Sequence, residues 1–122
     1  MPTAAYNINY RQGSHYSQRF TFYAPVTTGS ASLVPVDFSG FTAKMQVREL
    51  VESTDYMIEL TTENGMITID DEGNIDLEIS VEDGEEIDVD GLYDLYVISV
   101  DDKPERVLEG LFRFYPAVTR DD

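Results

Sequence analysis

The chain has 122 residues, 42% of them apolar, which suffices for one hydrophobic core, and we expect a single domain over residues 1–122. Twenty-four Asp and Glu against eight Lys and Arg give a formal charge of −16, which disfavours nucleic acid and anionic membranes as partners. The absence of cysteine excludes disulfides and thiolate zinc sites, and no apolar run approaches the roughly 18 residues of a membrane span.

We predict strands, in chain order, near 5–10, 16–24, 41–49, 56–61, 66–69, 75–80, 92–100 and 105–116. These segments alternate apolar and polar residues with period two, which is typical of a sheet with one buried face. In segment 41–49, the alternation places Ala43, Met45 and Val47 inward. Residues 75–79 carry an acid at each outward position, and 92–100 is apolar enough for a central strand.

Turn signals separate these strands at intervals of about ten residues. Asn64-Gly65 and Asp90-Gly91 favour tight turns, because Asn, Asp and Gly tolerate a positive φ. Ser80 and Asp83 stand at capping-box spacing, which predicts one short helical turn at 81–87. Seven to eight short strands around one core predict an all-β fold, an antiparallel immunoglobulin-like β-sandwich.

One tyrosine supports the immunoglobulin-like class. In such sandwiches a tyrosine often follows a turn by two residues, and its hydroxyl bonds back to the turn backbone. Tyr93 follows Gly91 at this spacing, and Leu95 takes the place of the second cysteine. The alternative is an ordinary strand tyrosine.

The charges are divided unevenly along the chain. Residues 1–36 contain no acid and two bases, whereas residues 49–102 contain 19 acids and neither Lys nor Arg. Burying an unpaired charge costs on the order of several kcal/mol, so most of these carboxylates must face water. The acidic block therefore predicts either a solvated surface or a surface that meets a basic partner, such as the N-terminal segment of a neighbouring copy.

Residue types that could carry catalysis are few. His15 is the only histidine, and its neighbour Ser14 would point to the opposite face of an extended segment. Nucleophilic catalysis needs a nucleophile, a base and an orienting group, so a triad is not expected here. Acids are frequent enough for a glycosidase-like carboxylate pair to occur by chance. We expect a protein that is not an enzyme, with no catalytic residues and no cofactor.

A calcium site is the main alternative among metal sites. The acids are concentrated in one short segment, and the candidate ligands are Asp70, Asp71, Glu72 and Asp76. An EF-hand loop that began at Asp70 would need Gly and Glu where Ile75 and Val81 stand, so that pattern fails. A looser calcium site between strands, or a hairpin turn with solvated acids, stays open.

The acid-free N-terminal quarter is rich in tyrosine, which anchors interfaces well because it offers a large area with little rotamer entropy to lose. We predict an interaction edge here that docks by strand pairing. Its candidate residues are Tyr6, Ile8, Tyr10, Arg11, His15 and Tyr16.

Several short motifs occur in a recognisable order. They are Gln12-Gly13 after a strand, Pro35-Val36-Asp37-Phe38-Ser39-Gly40-Phe41 leading into a strand that ends at Arg48, Gly73-Asn74-Ile75-Asp76-Leu77, Gly91-Leu92-Tyr93-Asp94-Leu95, Leu108-Glu109-Gly110 and Pro116-Ala117-Val118-Thr119-Arg120. In this order the chain resembles small β-sandwich virion proteins of tailed bacteriophages, including the N-terminal domain of upper baseplate proteins.

The resemblance implies a non-enzymatic structural protein of the virion, made in the host cytoplasm. It would be an attachment or assembly module of the tail or baseplate, present in multiple copies beside other virion proteins. Baseplate members continue into a further region, so this chain would be the attachment module alone. Capsid decoration is one alternative, and a calcium-dependent carbohydrate-binding or adhesion sandwich is another.

Overall fold

The computed structural model describes residues 3–27, 29 and 31–119, so the ends of the predicted domain and Arg120 lie outside the described residues. This part of the chain is all-β, with one 3-10 turn at Asp83–Glu86. The strands are β1 (Ala4–Ala5), β2 (Ile8–Arg11), β3 (Tyr16–Thr21), β4 (Tyr23–Pro25), β5 (Leu33–Pro35), β6 (Thr42–Arg48), β7 (Ile58–Thr61), β8 (Ile67–Ile69), β9 (Asn74–Ile79), β10 (Gly91–Ile98) and β11 (Pro104–Tyr115). The predicted all-β class and the helical turn are confirmed.

Six strands form the larger sheet, in the order β1-β11-β10-β6-β7, with β2 also paired to β11. β10 lies in the middle and is antiparallel to both β6 and β11, as expected of the longest apolar run. The predicted antiparallel pairing is confirmed for β11, β10, β6 and β7, whereas β1 and β2 run parallel to β11 at the other edge. Parallel pairing needs a long connection, and here almost the whole chain lies between the paired strands.

The smaller sheet has the antiparallel order β3-β9-β8. The remaining two strands, β4 and β5, pair only with each other. We call β4, β5 and the described residues between them the arm. The segment predicted as one strand over 16–24 is divided at Phe22 into β3 and β4, and β5 was not predicted.

Inward side chains of the six-stranded and the three-stranded sheets form one buried cluster. On the larger sheet, Ala43, Met45 and Val47 alternate with exposed or half-buried polar residues. On the smaller sheet, Ile75 and Leu77 are fully buried, and the acids between and after them face outward. The predicted alternation is confirmed in both segments, and it explains how so acidic a chain keeps carboxylates out of its core.

The 3-10 turn closes one end of this core. The amide of Asp83 donates a hydrogen bond to Oγ of Ser80 at 3.1 Å, the bond expected at this spacing, but the N-cap of the turn is Glu82, whose side chain caps nothing. Gly84 lies directly against the Tyr10 ring, and a Cβ at this position would overlap the Tyr10 hydroxyl. The turn therefore covers one end of a buried tyrosine.

Tyr93 is buried, but it does not bond to the turn that precedes it. Its hydroxyl donates to the backbone carbonyl of Tyr6 at 2.6 Å, 87 residues away in sequence. The expected bond to the turn backbone was wrong, because the N-terminal segment runs beside β11 and presents that carbonyl to β10's inward side. The immunoglobulin-like class itself stays a prediction.

Candidate functional site

The residues predicted for an N-terminal interface divide into two groups. Ile8 and Tyr10 are 0% and 1% exposed, and Tyr10 stacks on Phe112 with ring centroids 5.8 Å apart. Both belong to the core, so their prediction as contact residues was wrong. The physical reason is alternation, because every second side chain of β2 turns inward. Tyr16 is half-buried against the core.

The other three predicted residues, Tyr6, Arg11 and His15, are exposed. Tyr6 packs its ring edge-on against Phe20 at 5.0 Å, and the Arg11 guanidinium lies 5.0 Å from the centre of the Tyr115 ring. His15 lies in the turn between β2 and β3. The structure does not gather these three into one patch.

The two edges of the larger sheet differ. At the β7 edge, Oδ1 of Asn64 accepts from the amide of Thr61 at 3.0 Å, and its Nδ2 donates to the carbonyl of Glu59 at 3.0 Å. This side chain occupies the groups that a further strand would need. At the β2 edge, the amides of Tyr6 and Gln12 donate to carbonyls of β11. Successive residues of a strand direct their backbone groups to opposite sides, so Asn9, three residues from each, directs its N–H and C=O away from β11.

The candidate calcium ligands are engaged elsewhere or turned away. Asp70 accepts from the amides of Glu72 at 2.8 Å and Asn74 at 3.0 Å, and also from the Asn74 side chain. These bonds, that of the Asn74 side chain first, hold the pKa of Asp70 below its usual range. Asp76 forms a two-pronged ion pair with Arg19.

Asp71 and Glu72 are exposed at the turn. Within residues 3–27, 29 and 31–119, no three carboxylates or imidazoles are grouped so that they could hold a metal ion. The four predicted ligands therefore form a capped hairpin turn and an ion pair, and the calcium prediction is not supported.

The outer face of the larger sheet carries most of the chain's bases. Exposed or half-buried strand positions on this face hold Arg11, Lys44, Arg48, Arg106 and Arg113. Acids of the same face lie between them, as in the Lys44–Glu59 pair at 3.7 Å. This face therefore carries groups of both signs, although the chain as a whole has a formal charge of −16.

A groove of about 540 Å³ crosses this face above β10 and β11. Its charged groups are two bases and two acids, Arg48, Arg106, Asp94 and Glu109. Arg106 pairs with Asp94 at 3.6 Å and with Glu109 at 3.1 Å, and Arg48 donates to the carbonyl of Ser53 at 2.9 Å. Its apolar contact surface comes from Val51, Leu92 and Leu111. We call this the outer groove; it is neutral as a whole and partly apolar.

The arm has the opposite character to the acidic body. Residues 20–36 contain no charged side chain at all. Cross-strand pairing sets Tyr23 opposite Pro35 and Pro25 opposite Leu33, so these four side chains share one face of the ribbon. Tyr23 is 54% and Leu33 59% exposed, and Val34 is exposed on the other face. The arm is thus an uncharged ribbon that is apolar on both faces.

The arm is held firmly where it joins the sandwich. The amide of Phe22 donates to the carbonyl of Gly73 at 2.8 Å, and the amide of Val36 donates to the carbonyl of Phe22 at 3.0 Å. Gly73 has a φ of +81°, and a Cβ there would overlap the Phe22 carbonyl oxygen. Phe22 also packs edge-on against the buried Phe38 at 6.1 Å. The sandwich therefore presents the arm at a defined position.

Sequence reasoning missed the arm as a surface. The signal was present, since 17 consecutive uncharged residues stand out in a chain that is 26% charged. The prolines and the lack of clear alternation over 23–35 concealed the second strand. The tyrosines of the acid-free N-terminal quarter predicted an interface at the N-terminal edge instead.

No protein-family model matches this chain, and a search of curated proteins found no match either. Within residues 3–27, 29 and 31–119, no helix has the length and apolar character needed to cross a membrane.

Proposed function

We propose that this protein is a non-enzymatic structural protein of a tailed-phage particle, an assembly module of the tail or baseplate. The observation that carries the proposal is the arm. Contiguous apolar surface on a protein that is otherwise highly charged marks a site of protein contact, because exposing it to water is unfavourable. The arm offers Tyr23, Leu33 and Val34 in this way, with no charge on the ribbon to desolvate.

The rest of the described surface favours docking over chemistry. His15 lies exposed between β2 and β3, and among the described residues no three carboxylates or imidazoles are grouped around a possible metal ion. The motif order that resembles phage virion proteins supports the particle as the place of docking, and other virion proteins as partners.

Immunogold labelling of purified particles, with antibody raised against this protein, tests the proposal. We expect gold at the tail or baseplate, in several copies per particle. Gold over the capsid shell would overturn the tail assignment in favour of capsid decoration. Particles without label would overturn the virion role altogether.

The role of the arm is tested by incorporation. Leu33→Asp places a charge on an apolar ribbon and should lower incorporation into particles at least about tenfold, the effect of losing roughly 1.4 kcal/mol of docking free energy. Val118→Asp is the matched control, because Val118 is 95% exposed and follows Ala117, whose amide bonds to Oε1 of Gln12 after β2. Equal incorporation of both variants would show that the arm does not dock.

A further inference from the structure

Two copies of this chain carry −16 each, so most pairs of surfaces on them repel one another. The acids of the loops and of the 3-10 turn face outward on much of the molecule. Two surfaces without net charge can therefore meet without this repulsion. The arm has no charged residue, and the outer groove balances its two bases with two acids.

The two surfaces also match in polarity, since both offer exposed apolar side chains. The arm offers Tyr23 and Leu33 on one face of the ribbon. The outer groove offers Leu92, Leu111 and the highly exposed Val51. Its volume of about 540 Å³ lies within the roughly 300–1,000 Å³ of sites that enclose ligands the size of several side chains.

We propose that the arm of one copy seats in the outer groove of another copy of this chain. This inference rests on the proposed function, in which the arm is a docking element, and it names the surface into which the arm docks. Burial of apolar side chains on both sides supplies the attraction. The charged groups of the groove already have polar partners: Arg106 pairs with Asp94 and Glu109, and Arg48 donates to the Ser53 carbonyl and to Oε1 of Gln46. The uncharged arm therefore brings no further charge to be buried.

The contact is between different surfaces of the two copies. The arm joins the molecule beside the β8–β9 turn of the smaller sheet, whereas the groove lies on the outer face of the larger sheet. Each copy therefore keeps a free arm or a free groove after one contact forms. Such head-to-tail association closes into a ring or extends as a chain, which suits a component present in many copies.

Sedimentation velocity of the purified protein over a concentration series tests the inference. We expect reversible association that strengthens with added sodium chloride, because salt screens the repulsion between copies. Leu33→Asp in the arm and Val51→Asp in the groove should each weaken association at least tenfold, while Val118→Asp should leave it unchanged. A protein that stays monomeric at about 1 mM, or association that neither variant weakens, overturns the inference.

A mixing experiment separates this geometry from other modes of association. Leu33→Asp keeps an intact groove, and Val51→Asp keeps an intact arm. Mixed together, they should form a one-to-one dimer and nothing larger, since only one productive contact is possible. A mixture that stays monomeric overturns the arm-to-groove contact. Gold labelling of particles is independent of these results, so the inference can fail while the proposed particle role stands.

Discussion

One side-chain hydrogen bond adds to the strand pairing that holds the N-terminal segment. The Tyr93 hydroxyl reaches the carbonyl of Tyr6 at 2.6 Å from a buried position. A bond of this kind joins the first residues of the chain to its central strand. Burial raises the pKa of the hydroxyl, which keeps the donor proton in place.

Tyr93→Phe should therefore lower the free energy of unfolding by about 1–3 kcal/mol, because the Tyr6 carbonyl loses its donor. Urea denaturation followed by tyrosine fluorescence or circular dichroism measures this change. The matched control is Tyr115→Phe, whose exposed hydroxyl lies at 3.5 Å from Asn9 Oδ1 and should cost less than about 0.5 kcal/mol. Equal effects of the two substitutions would contradict the assigned role of Tyr93.

For single residues, the sequence predicted which side chains are buried better than it predicted which residues they contact. Met45 and Leu77 follow from alternation alone, because the polar residues beside them identify the outward face. Tyr10 was assigned to the surface because tyrosine is common at interfaces, although its period-two relation to Ile8 placed both on one face. The partner of Tyr93 could not be predicted, since nothing local specifies a contact across 87 residues.

The attachment of the arm to the sandwich depends on one glycine, Gly73, which contacts the backbone of Phe22. Gly73 and Gly65 both have a φ of +81°, but only at Gly73 would a Cβ overlap backbone, that of Phe22. Gly65 has open space around it. Substituting each of these two glycines therefore separates the free-energy cost of the backbone conformation from the cost of displacing the arm.

Gly65→Ala should cost about 1–2 kcal/mol, the penalty of a left-handed conformation. Gly73→Ala should cost a further 1–3 kcal/mol or so, because Phe22 and the start of the arm must shift. Chemical denaturation measures both values. Equal losses would mean that the Gly73 contact with Phe22 does not hold the arm.

Side chains of β2 belong to the core, although this edge was predicted to dock onto a partner. Ile8 and Tyr10 each contribute about 1.5–3 kcal/mol of buried apolar surface. Native proteins are stable by only about 5–15 kcal/mol. Deletion of residues 1–12 should therefore abolish cooperative thermal unfolding, as followed by circular dichroism.

The control for this deletion is the double variant Tyr23→Ser and Leu33→Ser, which changes exposed arm residues and should melt within a few degrees of the wild type. A truncated protein that still unfolds cooperatively would show that β1 and β2 are docking elements and not part of the core.

The strands themselves were predictable from alternation, but the parallel pairing of β2 with β11 was not, because it joins opposite ends of the chain.

The whole molecule is organised by the distribution of its charges. Acids follow the loops, the 3-10 turn and the outward positions of β9, while bases gather on the outer face of the larger sheet. The sequence predicted that carboxylates face water, but the gathering of bases depends on which strands become neighbours. Arg48 and Arg106 are far apart in sequence, and the pairing of β6 and β11 with β10 brings them to one groove.

This distribution sets the response of the isolated protein to salt. The described ion pairs, such as Arg19–Asp76, are partly exposed, and exposed pairs contribute only about 0–1 kcal/mol each. Repulsion among 24 acids opposed by eight bases should outweigh them. The melting temperature should therefore be higher in about 0.5 M than in about 0.02 M sodium chloride, because a shorter Debye length screens that repulsion.

A charge-reversal variant makes the test specific to repulsion. Changing Glu85, Glu86 and Asp88 to Lys alters the formal charge by three times +2, from −16 to −10, at exposed positions beside the 3-10 turn. If crowded acids cause the salt response, this variant should melt at a higher temperature in low salt and gain less from added salt than the wild type. Differential scanning calorimetry at protein concentrations below self-association compares the two proteins. A wild-type melting temperature that falls with salt would show that attractive ion pairs, and not repulsion, dominate the surface.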